Sequence, residues 1–187
     1  MPAYPRAELE EMVERWLQAN RDAEASGDWR SMAELYTEDA TYGWNYGPVE
    51  NFMAVGREEI REIALGNEML GLEGWEYPYQ QLLIDDRKGQ VVGFWRQIAD
   101  AVRADGTHYE VAGIGGSWFG YGGSFQWAWQ RDWFDYGNAT ALFMEMMSDG
   151  TLSEGMTKRM ERAVAGSLPG HYRLPDTPVG LWDGTAS

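Results

Sequence analysis

No cysteine occurs in the 187 residues, and histidine is present only as His108 and His171. Disulfides, thiol nucleophiles and thiolate metal sites are therefore excluded. Two isolated imidazoles cannot build the usual closed zinc sites. The acidic pairs Glu58-Glu59 and Asp85-Asp86 lack the spacing of an oxygen cage for a hard cation. No glycine-rich phosphate loop follows a strand, so neither a metal nor a cofactor is expected. Basic residues are scarce: 15 Lys and Arg stand against 30 Asp and Glu, a formal charge of −15. That balance argues against a nucleic-acid partner, which would need clustered cations; its plainest consequence is solubility. No apolar run approaches the ~20 residues of a membrane span. The first residues, Met1-Pro2-Ala3-Tyr4-Pro5-Arg6, lack the apolar stretch of a signal peptide. The expectation is a soluble, cytoplasmic protein with no membrane partner.

Aromatic residues, by contrast, are abundant. Seven of ten Trp and seven of ten Tyr lie between Tyr42 and Tyr136, mostly in segments that alternate as strands do. In Trp127-Ala128-Trp129-Gln130-Arg131-Asp132-Trp133 a regular strand puts Trp127, Trp129, Arg131 and Trp133 on one face. An aromatic wall with one cation suits a flat ligand carrying an anionic or phenolic group. It equally suits a packed core with one buried ion pair.

Leu9, Met12, Val13, Trp16 and Leu17 have the spacing of an amphipathic helix, with Pro5 near its start and Ser26-Gly27-Asp28 as its break. A short second helix carries Trp29, Met32, Leu35 and Tyr36, and Thr37-Glu38-Asp39 ends it. Residues 40–46 alternate as a strand closed by Gly47-Pro48, and Gly56-Arg57-Glu58-Glu59-Ile60 opens a third helix. Period-two patterning then predicts strands over 77–85, 90–102, 107–119 and 124–134, joined by turn sequences into an antiparallel meander. Helical patterning resumes after Asp135 and stops at Gly150. Thr151-Leu152-Ser153-Glu154 reads as a capping box for another helix. One domain over 1–166 and an extended Pro/Gly-rich tail over 167–187, packed on this subunit or a neighbour, are expected. Helices followed by consecutive antiparallel strands make an α+β domain: a curved sheet wrapped around N-terminal helices as a cone-shaped α+β barrel, with C-terminal helices and a tail.

The succession Gly27-Asp28-Trp29, then Tyr36-Thr37-Glu38-Asp39-Ala40-Thr41-Tyr42, then Gly56-Arg57-Glu58-Glu59-Ile60, then a strand meander resembles the SnoaL-like, nuclear transport factor 2-like superfamily over roughly residues 6–136. The resemblance implies a cone with a deep apolar pocket, often in a homodimer or homotrimer. It also implies a range of cofactor-independent chemistries: ketosteroid isomerase, scytalone dehydratase, polyketide cyclases, limonene epoxide hydrolase and a diarylpropane lyase that expels formaldehyde. Binding-only members exist, so the fold does not settle function. Ketosteroid isomerase-like enzymes would carry a Tyr near Trp16, an Asp near Trp44 and a second Asp near Gly115, and none of the three is matched here. The His pair of scytalone dehydratase-like enzymes is reduced to His108.

Five residues are candidates for catalysis. Tyr42 and Tyr46 share a face with Trp44, which the resemblance turns into the cone, and a buried phenol can donate to an oxyanion. Arg96, between Phe94 and Ile98, and Arg131, between Trp129 and Trp133, could bind a carboxylate or phenolate, or pair with Glu76, Glu110 or Asp132. His108, on one strand face with Glu110, is a candidate proton shuttle, a solvated turn residue or a subunit contact. Trp44, Tyr79, Phe94, Tyr109, Trp129 and Trp133 are the expected substrate wall. His171 is read as a surface residue of the tail. The glycines from Gly113 to Gly123 signal sheet curvature or close approach of a ligand.

Together these expectations describe a cofactor-independent lyase, dehydratase or isomerase acting on a bulky aromatic or polycyclic compound. By analogy, a lignin-derived diaryl compound losing water or formaldehyde fits best. A non-catalytic carrier of an aromatic metabolite and an assembly module are the alternatives.

Overall fold

A computed structural model describes residues 4–166 and 168–185. Helix α1, Arg6–Ser26, buries Leu9, Met12, Val13 and Trp16 and ends where Gly27 adopts a left-handed conformation (φ 71°). A 3₁₀ turn at Arg30–Leu35 leads into β1, Tyr36–Tyr46, and β2, Glu50–Val55. Strand β1 starts four residues earlier than the pattern suggested, because Tyr36 is already extended and buried. Helix α2, Arg57–Glu59, continues through Ile60–Ala64 with wider i→i+5 bonds. Among the described residues no helix is long and apolar enough to cross a membrane.

The remaining strands are β3 (Tyr79–Asp85), β4 (Gln90–Trp95), β5 (Ile98–Val102), β6 (His108–Glu110), β7 (Gly115–Gly123), β8 (Gln126–Trp133) and β9 (His171–Arg173). Seven of them form one curved sheet in the order β3-β4-β7-β8-β1-β2-β9, antiparallel except for the β1–β8 pairing. Two of the expected long strands are broken. The 90–102 strand divides at Arg96-Gln97, and the 107–119 strand divides over residues 111–114, where Gly113 takes φ 111°. The released segments pair with each other as the separate β5–β6 hairpin.

The sheet is α+β in the sense expected: α1 lies in its concave side, and α3 (Tyr136–Ser148) and α4 (Glu154–Val164) close one end. Asp135 caps α3 by accepting from Asn138 N–H. The cap of α4 is Ser153, which accepts from Met156 N–H at 3.1 Å, so the predicted capping box at Thr151 is displaced by two residues. The tail packs on the sheet of this chain. β9 pairs with β2, and Leu181 to Thr185 crosses the outer face of the sheet.

Glycines and indoles are paired across strands. A methyl group on Gly115 would overlap the Trp95 ring, one on Gly116 the Trp133 ring, and one on Gly120 would sit 2.1 Å from Trp129 Nε1. The glycines thus provide slots in which neighbouring indoles lie against the backbone. Trp129 is hemmed in by Trp118, ring centroids 4.9 Å apart, and by the Arg131 guanidinium at 5.8 Å. Gly120→Ala should therefore cost about 1–3 kcal/mol through overpacking. The check is a lowered urea midpoint with unchanged slope.

Candidate active site

Within the cone lies a cavity of about 330 Å³, at the lower end of the range for small-molecule sites. Aromatic side chains dominate its wall, including Trp16, Trp29, Trp44, Tyr77 and Trp95. Val164, 92% exposed, also lines it, so the cavity opens to solvent beside the C-terminal end of α4.

Strand alternation puts Tyr42, Trp44 and Tyr46 of β1 on the cavity, and Tyr79 of β3 joins them. The other candidates are elsewhere. Arg96 stands half exposed in a bidentate pair with Glu110, at 2.6 and 2.5 Å; such a pair contributes little in water. The exposed His108 directs Nδ1 to the Ala99 carbonyl at 2.8 Å. Tyr109 is buried in the minor core, with its hydroxyl on Asp149 at 2.8 Å and Arg103 over its ring. Phe94, Trp129, Arg131 and Trp133 belong to the outer face, where Phe94 meets Trp133 and Trp129 meets Trp118.

The cause is one extra residue. In the β7–β8 ladder Gly120 pairs with Trp129 while Tyr121 pairs with Trp127, so Ala128 forms a bulge. The bulge separates the faces of the two indoles. Trp127 packs inward on Phe119, ring centroids 4.7 Å apart, and Trp129 faces outward. Beyond the bulge Gln130, Asp132 and Phe134 point inward, and all three line the cavity. Arg131 is buried on the opposite side under the tail. Its guanidinium donates to the carbonyls of Leu181, Asp183, Thr41 and Gln130 and to Thr41 Oγ1. It is a clasp for the tail, not a cavity residue.

Asp132 is the feature that sequence reasoning missed as a site residue. Tyr42 donates to Oδ2 at 2.5 Å and Gln130 Nε2 donates to Oδ1 at 2.7 Å. The Ser117 hydroxyl also bonds it, and is itself held by Trp95 Nε1 at 3.0 Å and the Tyr79 hydroxyl at 3.3 Å. Tyr36, completely buried, donates to Gln130 Oε1 and fixes the orientation of that amide. A carboxylate has roughly four acceptor positions; three are filled by protein, which leaves one for a guest. Burial raises the Asp132 carboxyl to about 6, against the pull of the bonds from Tyr42, Gln130 and Ser117 and of the Arg131 charge. The same burial, together with the Asp132 charge, pushes the Tyr42 phenol well up, so Tyr42 stays a donor. Burial likewise raises Tyr46 to about 12, assisted by the neighbouring Tyr136. Removing one donor by Tyr42→Phe should raise the Asp132 pKa further. A pH titration should show the midpoint moving toward neutrality, the sign opposite to that of a purely steric change.

Asp132 is the register partner of Trp44 in the β1–β8 pairing. A second polar group forms another part of the wall. Glu68, 3% exposed, accepts from Arg159 Nη2 at 2.5 Å and lies 3.1 Å from His171 Nε2, while its backbone carbonyl accepts from Arg159 Nη1. His171 is therefore not a surface residue of the tail: strand β9 seats its ring against Tyr46, centroids 4.4 Å apart.

No protein-family model matches the chain, and no curated protein matches it. Solved structures do match in fold. Bal32a from a soil-derived mobile gene cassette is 21% identical, with 73% of this chain and 96% of that one covered at a TM-score of 0.52. An NTF2-like protein of Anabaena variabilis is 17% identical over 72% and 95%, with a TM-score of 0.52. TerC, crystallised with polyporic acid, is 15% identical over 72% and 97%, with a TM-score of 0.51. At these identities the likeness establishes the NTF2-like, SnoaL-like fold, and the chemistry has to be argued from the residues of this chain.

Proposed function

We propose that this NTF2-like chain is a cofactor-independent acid–base enzyme acting on an aromatic or polycyclic small molecule, with Asp132 as its general base. The observation that carries the reading is the Asp132 carboxylate, poised near pH 6 and facing an open aromatic hollow. A base works best when its pKa lies close to the working pH. In the proposed reaction the Asp132 carboxylate takes a proton from an acidic C–H or O–H of the bound compound. The released electron pair moves into the conjugated system and places charge on an oxygen. Tyr77 is suited to receive that charge: its hydroxyl accepts from Gln97 Nε2 at 3.4 Å and keeps its own proton to donate. Asp132 then returns the proton at another atom, which is isomerisation, or to a departing group, which is elimination.

Candidate polyketide cyclases share the fold, so ring closure through the same carbanion belongs to this class of step. Incubation of the pure protein, without added cofactor, with lignin-derived dimers, steroids and hydroxyquinone polyketides, followed by mass spectrometry, tests the proposal. Turnover that is lost in Asp132→Asn supports it. Tight binding without turnover across such a panel would favour the carrier reading. The assembly reading has less support, because the chain's own tail already covers part of the outer sheet face and the cone is hollow.

A further inference from the structure

Charge occurs at only two places on the cavity wall among the described residues: Asp132, and the Glu68–Arg159 pair. Arg159 is the one cation there. It comes from α4, whose Met156, Met160 and Ala163 form the apolar side of the same wall. We propose that Arg159 anchors an anionic oxygen of the substrate, a carboxylate or an ionised enol or phenol conjugated with the aromatic body. The ligand would lie with that group at α4 and its reacting atom at Asp132. This inference rests on the reading of the cavity as a substrate site.

Three observations carry it. First, Arg159 is held rigidly, since Glu68 takes one N–H through its carboxylate and another through its backbone carbonyl. A guanidinium has five N–H donors, so the remaining ones are pre-oriented at no further entropic cost. Second, Glu68 is itself fixed from behind by His171, whose ring is wedged between Tyr46 and Phe52 by strand β9. A chain of contacts that begins at the tail thus ends on one guanidinium in the cavity. Third, an Arg–Glu pair used purely for stability is poorly placed beside a hollow that could have been lined by apolar side chains. As a substrate anchor the same pair has a reason: Glu68 offsets the Arg159 charge until an anion arrives.

The test uses two isosteric probes at pH 8, biphenyl-4-carboxylate and biphenyl-4-carboxamide, followed by quenching of tryptophan fluorescence. Wild type should bind the carboxylate about tenfold or more tighter than the amide, the scale of a charge-assisted hydrogen bond. Arg159→Gln should abolish the preference and leave amide binding within about threefold. Because Arg159→Gln leaves Glu68 without its cation, the double variant Arg159→Gln/Glu68→Gln is measured alongside and should behave alike. Equal affinities in wild type, a preference that survives both variants, or no binding of either probe would overturn the assignment. Asp132→Asn should retain the preference, which separates the anchor from the catalytic reading: that reading fails if wild type turns nothing over, whereas the anchor fails on binding alone.

Discussion

Asp132→Asn should remove turnover and, at the same time, make the protein more stable at neutral pH. Loss of a positioned general base costs on the order of 10²–10⁴ in rate. The stability gain follows from linkage. In the folded protein the carboxyl titrates at about 6 because burial disfavours its charge, while in the unfolded chain it titrates at about 3.9. Between those values the native state holds the extra proton, so stability falls as pH rises through the window. Above pH 6 the whole cost is present, on the order of 3 kcal/mol at about 1.4 kcal/mol per tenfold change in proton affinity. Asparagine carries no such cost. It can keep the local bonds, accepting from Gln130 and donating to the Tyr42 oxygen. Thermal unfolding should therefore show Asp132→Asn above wild type by several degrees at pH 8, with the gap closing toward pH 4. A variant that is inactive and less stable at every pH would mean that Asp132 is a structural acid.

Arg131→Met should detach the C-terminal tail. The guanidinium is buried and, through that burial, lowered to about 10, so the fold already bears a penalty for keeping it charged. Replacing it relieves that penalty but strands the carbonyls of Leu181, Asp183, Thr41 and Gln130 and the Thr41 hydroxyl. Each buried acceptor left unpaired costs about 1–3 kcal/mol. The tail carbonyls can escape that cost only by leaving the sheet. The net expectation is a loss of about 2 kcal/mol and cleavage within residues 174–181 at least about tenfold faster in limited proteolysis. Were Arg131 instead a ligand for substrate, the variant would weaken aromatic binding and leave the tail protected.

The two residues are neighbours in sequence and lie on opposite faces of one strand, and their assignment shows where sequence reasoning reaches its limit. The order of helices and the alternating segments were enough for the cone, and alternation on β1 put Tyr42, Trp44 and Tyr46 together. The same rule failed on β8 for two physical reasons. A bulge at Ala128 breaks the period, and composition gives no sign of it. Moreover, the outer face carries its own aromatic layer of Phe94, Trp118, Trp129 and Trp133, with Trp182 of the tail 6.2 Å from Trp118. With apolar side chains on both faces, hydrophobicity cannot say which one is inside. The polar pair Gln130 and Asp132, alternating with indoles, was the available signal. It pointed to the interior only for a strand whose tryptophans face out. Arg159 and Glu68 were illegible for a different reason, because the segments that carry them are brought together only by the packing of α4 and by β9, which adds the tail to the sheet edge at β2.

Direct titration of the Asp132 carboxyl tests the whole account most sharply. Infrared difference spectra of wild type against Asp132→Asn, recorded from pH 4 to 8, isolate one carboxyl band. The account predicts a midpoint near pH 6 that moves when an aromatic ligand enters the cavity. A midpoint at the ordinary carboxylate value, indifferent to ligand, would contradict it.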